Sequence, residues 1–261
     1  MGVGASGKTQ GVRSLTVTLA LVLAVTACSG DDDGDDASSP DTTTTTAPDV
    51  TIETSSTTTA ATAEGCTNPV EREEPANEGE VVDLDGDGQP DTVWVASPGD
   101  GRRVLGVTTA AGGGAKVDIE SASPIAIQVL VADADDTPPV ELFVSDNRGV
   151  QLWAFDDCTL QPVTDPDGQP YLFDLGLRGY GTGVGCTNGN LVGLNVVSED
   201  VQGNVGWTST VITRDALIAD EGEVTEGTYK SPQDDPKIAL LHQVTCNDLT
   251  MTEDSIPQPE E

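Results

Sequence analysis

Apolar residues come along this chain in short runs rich in β-branched side chains. The clearest are Val93-Trp94-Val95, Arg103–Thr109, Ala115–Ile119, Ile125–Ala132, Leu142–Ser145, Val150–Phe155, Leu160–Val163, Leu191–Val197, Trp207–Thr213 and Ile238–Val244. Between them stand clusters of turn-forming residues: SPGD, AAGGG, SDNRG, DDC, DPDG and SEDVQGN. Short runs of this kind, bounded by Gly, Pro, Asn and Asp, are the pattern of strands joined by tight turns. No window carries the 3.6-residue apolar period of an amphipathic helix, and Asp215–Asp220 has room for a single turn. The pattern predicts an all-β domain of antiparallel strands.

The strands recur in units. Asp83 opens DLDGDGQPDTVWV, and Asp133, 50 residues later, opens DADDTPPVELFV. At the same offset Asp85 matches Asp135 and Asp91 matches Glu141. GVGCTNGNLVGLNVV and QVTCNDLTM follow at about the same interval. A repeat of this length, holding roughly four strands, suggests propeller-type blades. The expected architecture is a propeller-like array of antiparallel β-repeats, three of them plus a terminal strand from about residue 237. Three units are few for a closed propeller, so a twisted β-sandwich is the alternative.

The chain before residue 65 reads differently. Lys8 and Arg13 precede an 11-residue apolar run, Leu15 to Val25, too short to span a bilayer. Val25-Thr26-Ala27-Cys28 then supplies small residues before a cysteine. A basic start, a short apolar core and a small-residue cleavage site make a secretory signal peptide. With its cysteine the segment resembles a bacterial lipoprotein signal and lipobox. That resemblance implies a diacylated Cys28, cleavage before it, and attachment to the outer face of the cell membrane. Gly2–Thr9 also fits the phosphate-loop pattern, but no strand delivers it and the signal core follows, so it lacks the setting that binds phosphate.

Residues 29–64 hold nine acids, no base, and a Thr/Ser/Pro/Ala background. So little apolar surface cannot offset the entropy of ordering, so this stretch is expected to be an extended tether. The expected organisation is a signal peptide at 1–27, a lipidated cysteine and acidic tether at 28–64, a β-repeat domain at 65–255 and an acidic tail at 256–261.

Charge narrows the function. Of 261 residues, 45 are Asp or Glu and 11 are Lys or Arg, a formal net charge of -34. Such a chain repels phosphate, which excludes nucleic acid as a partner. His242 is the only histidine, which leaves little for a histidine base or a histidine-rich metal site. The domain holds Cys66, Cys158, Cys186 and Cys246 without a zinc spacing. In an exported chain four cysteines suggest two disulfides in one of three connectivities. Similar places in the repeats favour Cys186–Cys246, which leaves Cys66–Cys158.

One segment carries explicit chemistry. Asp83, Asp85, Asp87 and Asp91 occupy positions 1, 3, 5 and 9 of a loop with Gly88 at position 6. Calcium takes six to eight hard oxygen ligands. Alternate residues of a tight loop turn carboxylates toward one centre, Gly88 permits the bend, and the Gln89 carbonyl adds a ligand. Position 12 is Trp94 and the flanks are strands, so this is no EF-hand. The D-x-D-x-D-G-x-x-D form resembles the calcium loop of FG-GAP/VCBS repeats, as in integrin α-chain propellers. The resemblance implies a calcium-stabilised β-repeat. The second copy keeps Asp133, Asp135 and Glu141 but puts Thr137 and Pro138 in place of the third acid and the glycine. The third, around Asn188-Gly189-Asn190, has no acid.

The remaining candidates read as structure. Trp94, Trp153 and Trp207 lie in strands and are expected in the core rather than on a sugar-stacking face. His242, in IALLHQV, is expected to be a core histidine of the terminal strand. Asp165-Pro166-Asp167-Gly168 reads as a turn. The -TACSG- signal with its acidic Thr-rich tether resembles an actinobacterial-type envelope lipoprotein. The expected function is a non-enzymatic module of the cell envelope, binding an extracellular protein or glycan or serving a structural role. A secreted hydrolase on a propeller-like scaffold is the alternative.

Overall fold

The computed structural model describes residues 64–99, 101–176 and 182–260. The signal segment, Cys28 and nearly all of the tether lie outside them. The named strands all pair antiparallel and the described chain has one short helix, as the alternation of apolar runs and turns predicts. Four strands form a first meander, β1 (Ala76–Val81), β2 (Asp91–Ala96), β3 (Val104–Thr108) and β4 (Gly114–Asp118). A second comprises β5 (Gln128–Ala132), β6 (Glu141–Ser145), β7 (Gly149–Asp156) and β8 (Thr159–Pro162). The short β9 (Leu172–Asp174) continues the outer edge of β7 beyond β8. The third comprises β10 (Thr182–Thr187), β11 (Asn190–Glu199), β12 (Val205–Asp215) and β13 (Ile218–Tyr229).

The second sheet is apolar on both faces. Leu142 and Val144 of β6, with Trp153 and Phe155 of β7, meet Val93, Val95, Leu105 and Val107 of the first sheet. Their strand neighbours Phe143, Leu152 and Ala154 meet Val184, Leu191 and Ile212 of the third. Side chains alternate across a strand, so a strand buried on both sides needs a continuous apolar run. Leu142-Phe143-Val144 is such a run. By contrast β13, at the edge of the third sheet, exposes Asp220, Glu221, Glu223 and Glu226. Charge on an edge strand discourages pairing with another chain. Within the first sheet, Gly106 faces Trp94, and a Cβ there would lie 2.0 Å from the indole.

The array does not close into a barrel or propeller among the described residues. The terminal run predicted as a strand is instead α1 (Asp235–Leu240) followed by turns, with His242 exposed. Pro236 in the first turn, with Asp235 beside it and Lys237 later, supplies a helix start, and the six-residue run was too short to show its period. The Asp215–Asp220 segment is the β12–β13 hairpin rather than a helical turn. A small hairpin follows, β14 (Thr245–Cys246) and β15 (Leu249–Thr250).

The fold also runs past residue 255, where the sequence reading places a tail. β16 (Ile256–Pro257) pairs with β5, and Ile256 packs over Gly79 of β1. Asn77 Nδ2 donates to the Pro257 carbonyl at 2.9 Å, and Gln258 exchanges bonds with Ile127 and donates to Ser97 Oγ at 3.1 Å. The end of the chain thus joins the first sheet to the second. Two disulfides form, Cys66–Cys158 and Cys186–Cys246, the pairing favoured from the repeats. With 92 and 60 residues between partners, each restricts the unfolded chain by about 4 kcal/mol in the loop-entropy account.

Because Leu142 and Phe143 face different cores, each should be costly alone. Leu142→Ala is expected to lower stability by about 2–5 kcal/mol and Phe143→Ala by about 3–5 kcal/mol, read from urea unfolding. A cost below about 1 kcal/mol for either would contradict a middle sheet packed on both faces.

Candidate metal centre

Two acidic loops occupy the same place in successive sheets. Residues 82–90 join β1 to β2, and residues 133–140 join β5 to β6. In each, the last acid of the motif is the first residue of the second strand and turns inward. Asp91 is 1% exposed and Glu141 is 0%.

In the first loop the backbone gathers the carboxylates. Asp83 accepts the amides of Gly86 and Gly88, each at 2.7 Å. Both glycines have positive φ, 79° and 84°, which side-chain-bearing residues rarely adopt. Asp85 accepts from the Cys66 amide at 2.7 Å. Asp91 accepts from the amides of Leu84 at 2.7 Å and Ala110 at 3.0 Å. Carboxylate oxygens of Asp83, Asp85 and Asp91 thereby come within 4.8 Å of one another. Asp87 stands outside this group and accepts from the Gln89 amide. The Gln89 side chain is exposed and donates to the Gly88 carbonyl. Gly65 lies against the loop, where a Cβ would sit 2.6 Å from Asp87 Oδ2. Burial pushes the Asp91 carboxyl above the usual carboxylate range. The Leu84 and Ala110 amides oppose that shift, and the neighbouring Asp85 and Asp83 charges add to it. Among the described residues no Lys or Arg forms an ion pair with any of the four acids.

The second loop repeats this backbone. Asp133 accepts the Asp136 amide at 2.8 Å, Asp135 accepts the Thr137 amide at 3.0 Å, and Glu141 accepts the Ala134 amide at 3.0 Å. Asp133, Asp135 and Glu141 are again within 4.8 Å of one another. Here, however, a base enters. Arg214 of β12 is 1% exposed at its side chain and pairs with Asp135 at 3.0 Å and with Glu141 at 2.8 Å. Burial pushes Glu141 up to about 7, against the pull of Arg214. Burial acts on Asp135 in the same direction, but hydrogen bonds from Arg214 and Thr137 outweigh it and hold this carboxyl below its ordinary value.

The other candidates fall outside these loops. Trp94 and Trp153 are buried in the core. Trp207 is half-buried and stacks on Tyr229 with ring centroids 5.1 Å apart. Asp165 closes a turn by accepting the amides of Asp167 and Gln169. Sequence reading missed Arg214 and the amides of Cys66 and Ala110. Arg214 lies 79 residues from its carboxylate partner Asp135, and the amides carry no side-chain signature. The one available signal was an arginine in an otherwise uncharged strand run, TVITR, of a strongly acidic domain.

No family profile, curated protein or solved structure matches the chain.

The two roles in the first loop separate by mutation. Asp91→Ala strands two amides, one of them buried, and is expected to cost about 2–4 kcal/mol even in a chelator. Asp83→Ala frees only the exposed Gly86 and Gly88 amides to water and should cost less than about 1 kcal/mol under the same conditions. Urea midpoints in chelator compare them, and equal costs would contradict this division.

Proposed function

We propose that this chain is a lipid-anchored extracytoplasmic protein whose propeller-like β-repeat domain is stabilised by calcium at Asp83, Asp85 and Asp91. The Gln89 carbonyl completes the ligand set, with Asp87 turning in from its place outside the three-acid group. The observation that carries the reading is the first loop itself. Three carboxylates, one of them buried, meet within 4.8 Å with no basic side chain paired to them among the described residues. Like charges at that spacing repel by on the order of 3 kcal/mol per pair at an effective dielectric near 20, less where water reaches them. A hard divalent cation removes the repulsion and takes carboxylate oxygens by preference. The FG-GAP/VCBS resemblance of the same residues supports calcium, and extracellular calcium modules work at about 10⁻⁴–10⁻³ M. The role is therefore structural: the ion fixes the first sheet.

The lipobox-like segment ending at Cys28 supports the anchor, and the acidic stretch after it supports a tether. The domain then serves as a non-enzymatic binding or structural module of the cell envelope, toward an extracellular protein or glycan. The hydrolase reading gains no observation, since the buried Asp91 and Glu141 are committed to backbone amides and, for Glu141, to Arg214.

Two measurements test the proposal. Millimolar calcium should raise the melting temperature by several degrees over chelator, and Asp83→Ala should abolish the rise. An equal rise in the variant, or none in the intact protein, would remove calcium from this loop. Separately, Cys28→Ser should abolish incorporation of radiolabelled palmitate in a bacterial host and move the protein out of the membrane fraction. Unchanged labelling would sink the anchor.

A further inference from the structure

The second acidic loop copies the first in its backbone and differs at its centre. The Arg214 guanidinium donates to Asp135 Oδ1 at 3.0 Å and to Asp135 Oδ2 at 3.1 Å. It donates to the Thr137 carbonyl at 2.7 Å and the Pro139 carbonyl at 2.8 Å. Glu141 Oε1 lies 2.8 Å from Nη2 but off the N–H direction, so this fully buried oxygen is held by charge and accepts no hydrogen bond. Counted from Asp133, these groups stand at positions 3, 5, 7 and 9. The same positions of the first loop hold Asp85, Asp87, Gln89 and Asp91. Five oxygens from two carboxylates and two carbonyls, around one buried positive charge, form the kind of shell a hard cation takes.

We propose that Arg214 is the resident cation of the second loop. Its guanidinium fills the place of a divalent ion and closes the loop to metal in the native chain. Removing it opens a divalent-cation site built from Asp133, Asp135, Glu141 and the carbonyls of Thr137 and Pro139. The ligand positions rest on the calcium reading of the first loop, and the comparison below separates the two. Arg214 comes from the third sheet and its partners from the second, so the same contact also fastens those sheets together without metal.

The test counts bound calcium by equilibrium dialysis on the full chain in detergent. Asp83→Ala serves as the background, because it removes the first-loop site. Adding Arg214→Ala should gain one calcium per chain, lost again on further Asp135→Asn. Arg214→Lys, which keeps the charge, should gain none. An unchanged count on Arg214→Ala, or a gain on Arg214→Lys, overturns the proposal. Near-ultraviolet circular dichroism covers the case in which Arg214→Ala disturbs folding. Unfolding in chelator with recovery in millimolar calcium supports the proposal, and unfolding in both overturns it. If instead the first-loop reading fails, the unsubstituted chain binds no calcium while Arg214→Ala still adds its one.

Discussion

The second sheet is buried on both of its faces, and the rest of the molecule follows from that constraint. Leu142, Val144, Trp153 and Phe155 look one way and Phe143, Leu152 and Ala154 the other, so each outer sheet shares its main core with the second, and only the smaller clusters around Trp94 and around Val196 stand apart from it. The first sheet packs on the same alternation. The acid that opens β2 or β6 therefore turns inward, and Asp91 and Glu141 become buried carboxylates. An unpaired buried carboxylate is among the costlier things a fold can hold. The third sheet meets the problem differently. Leu191 stands 50 residues after Glu141, which itself stands 50 after Asp91, and it is fully buried in the core. One place in three successive repeats is thus an aspartate held by amides, a glutamate beside an arginine, and a leucine.

Much of this is legible in the sequence because it is local. Strand runs and Gly/Asp turns announce the antiparallel meanders. The offset of 50 residues relates the two acidic loops correctly. What sequence does not carry is contact at a distance. Arg214 joins the second loop from a strand of the next sheet, and the amides of Cys66 and Ala110 reach the first loop from segments with no distinguishing residue. The run around Ile238 shows the opposite failure. Four apolar residues suit a strand or a helix equally, and only Pro236 in the first turn decides.

The first loop lies where several parts of the chain meet. Its Asp85 holds the Cys66 amide, and the Cys66 carbonyl in turn receives Thr109 Oγ1 and the Gly113 amide from the β3–β4 turn. The Cys66 sulfur is bonded to Cys158 at the β7–β8 turn. Anything that orders the loop therefore also orders the segment by which the folded unit joins the preceding chain. The second loop, by contrast, is tied through Arg214 to the third sheet, which follows it.

The position of β16 has a consequence for how the sheets are held together. The first sheet is complete in sequence by Asp118, yet Asn77 closes on Pro257 across 180 residues, and Ser97 on Gln258 across 161. Such contacts carry the loop-closure entropy of nearly the whole domain. Without residues 256–258, Gly79 would lose the cover of Ile256 and Ile127 its two bonds to Gln258. One two-residue strand thereby holds together sheets that are otherwise built from separate stretches of the chain.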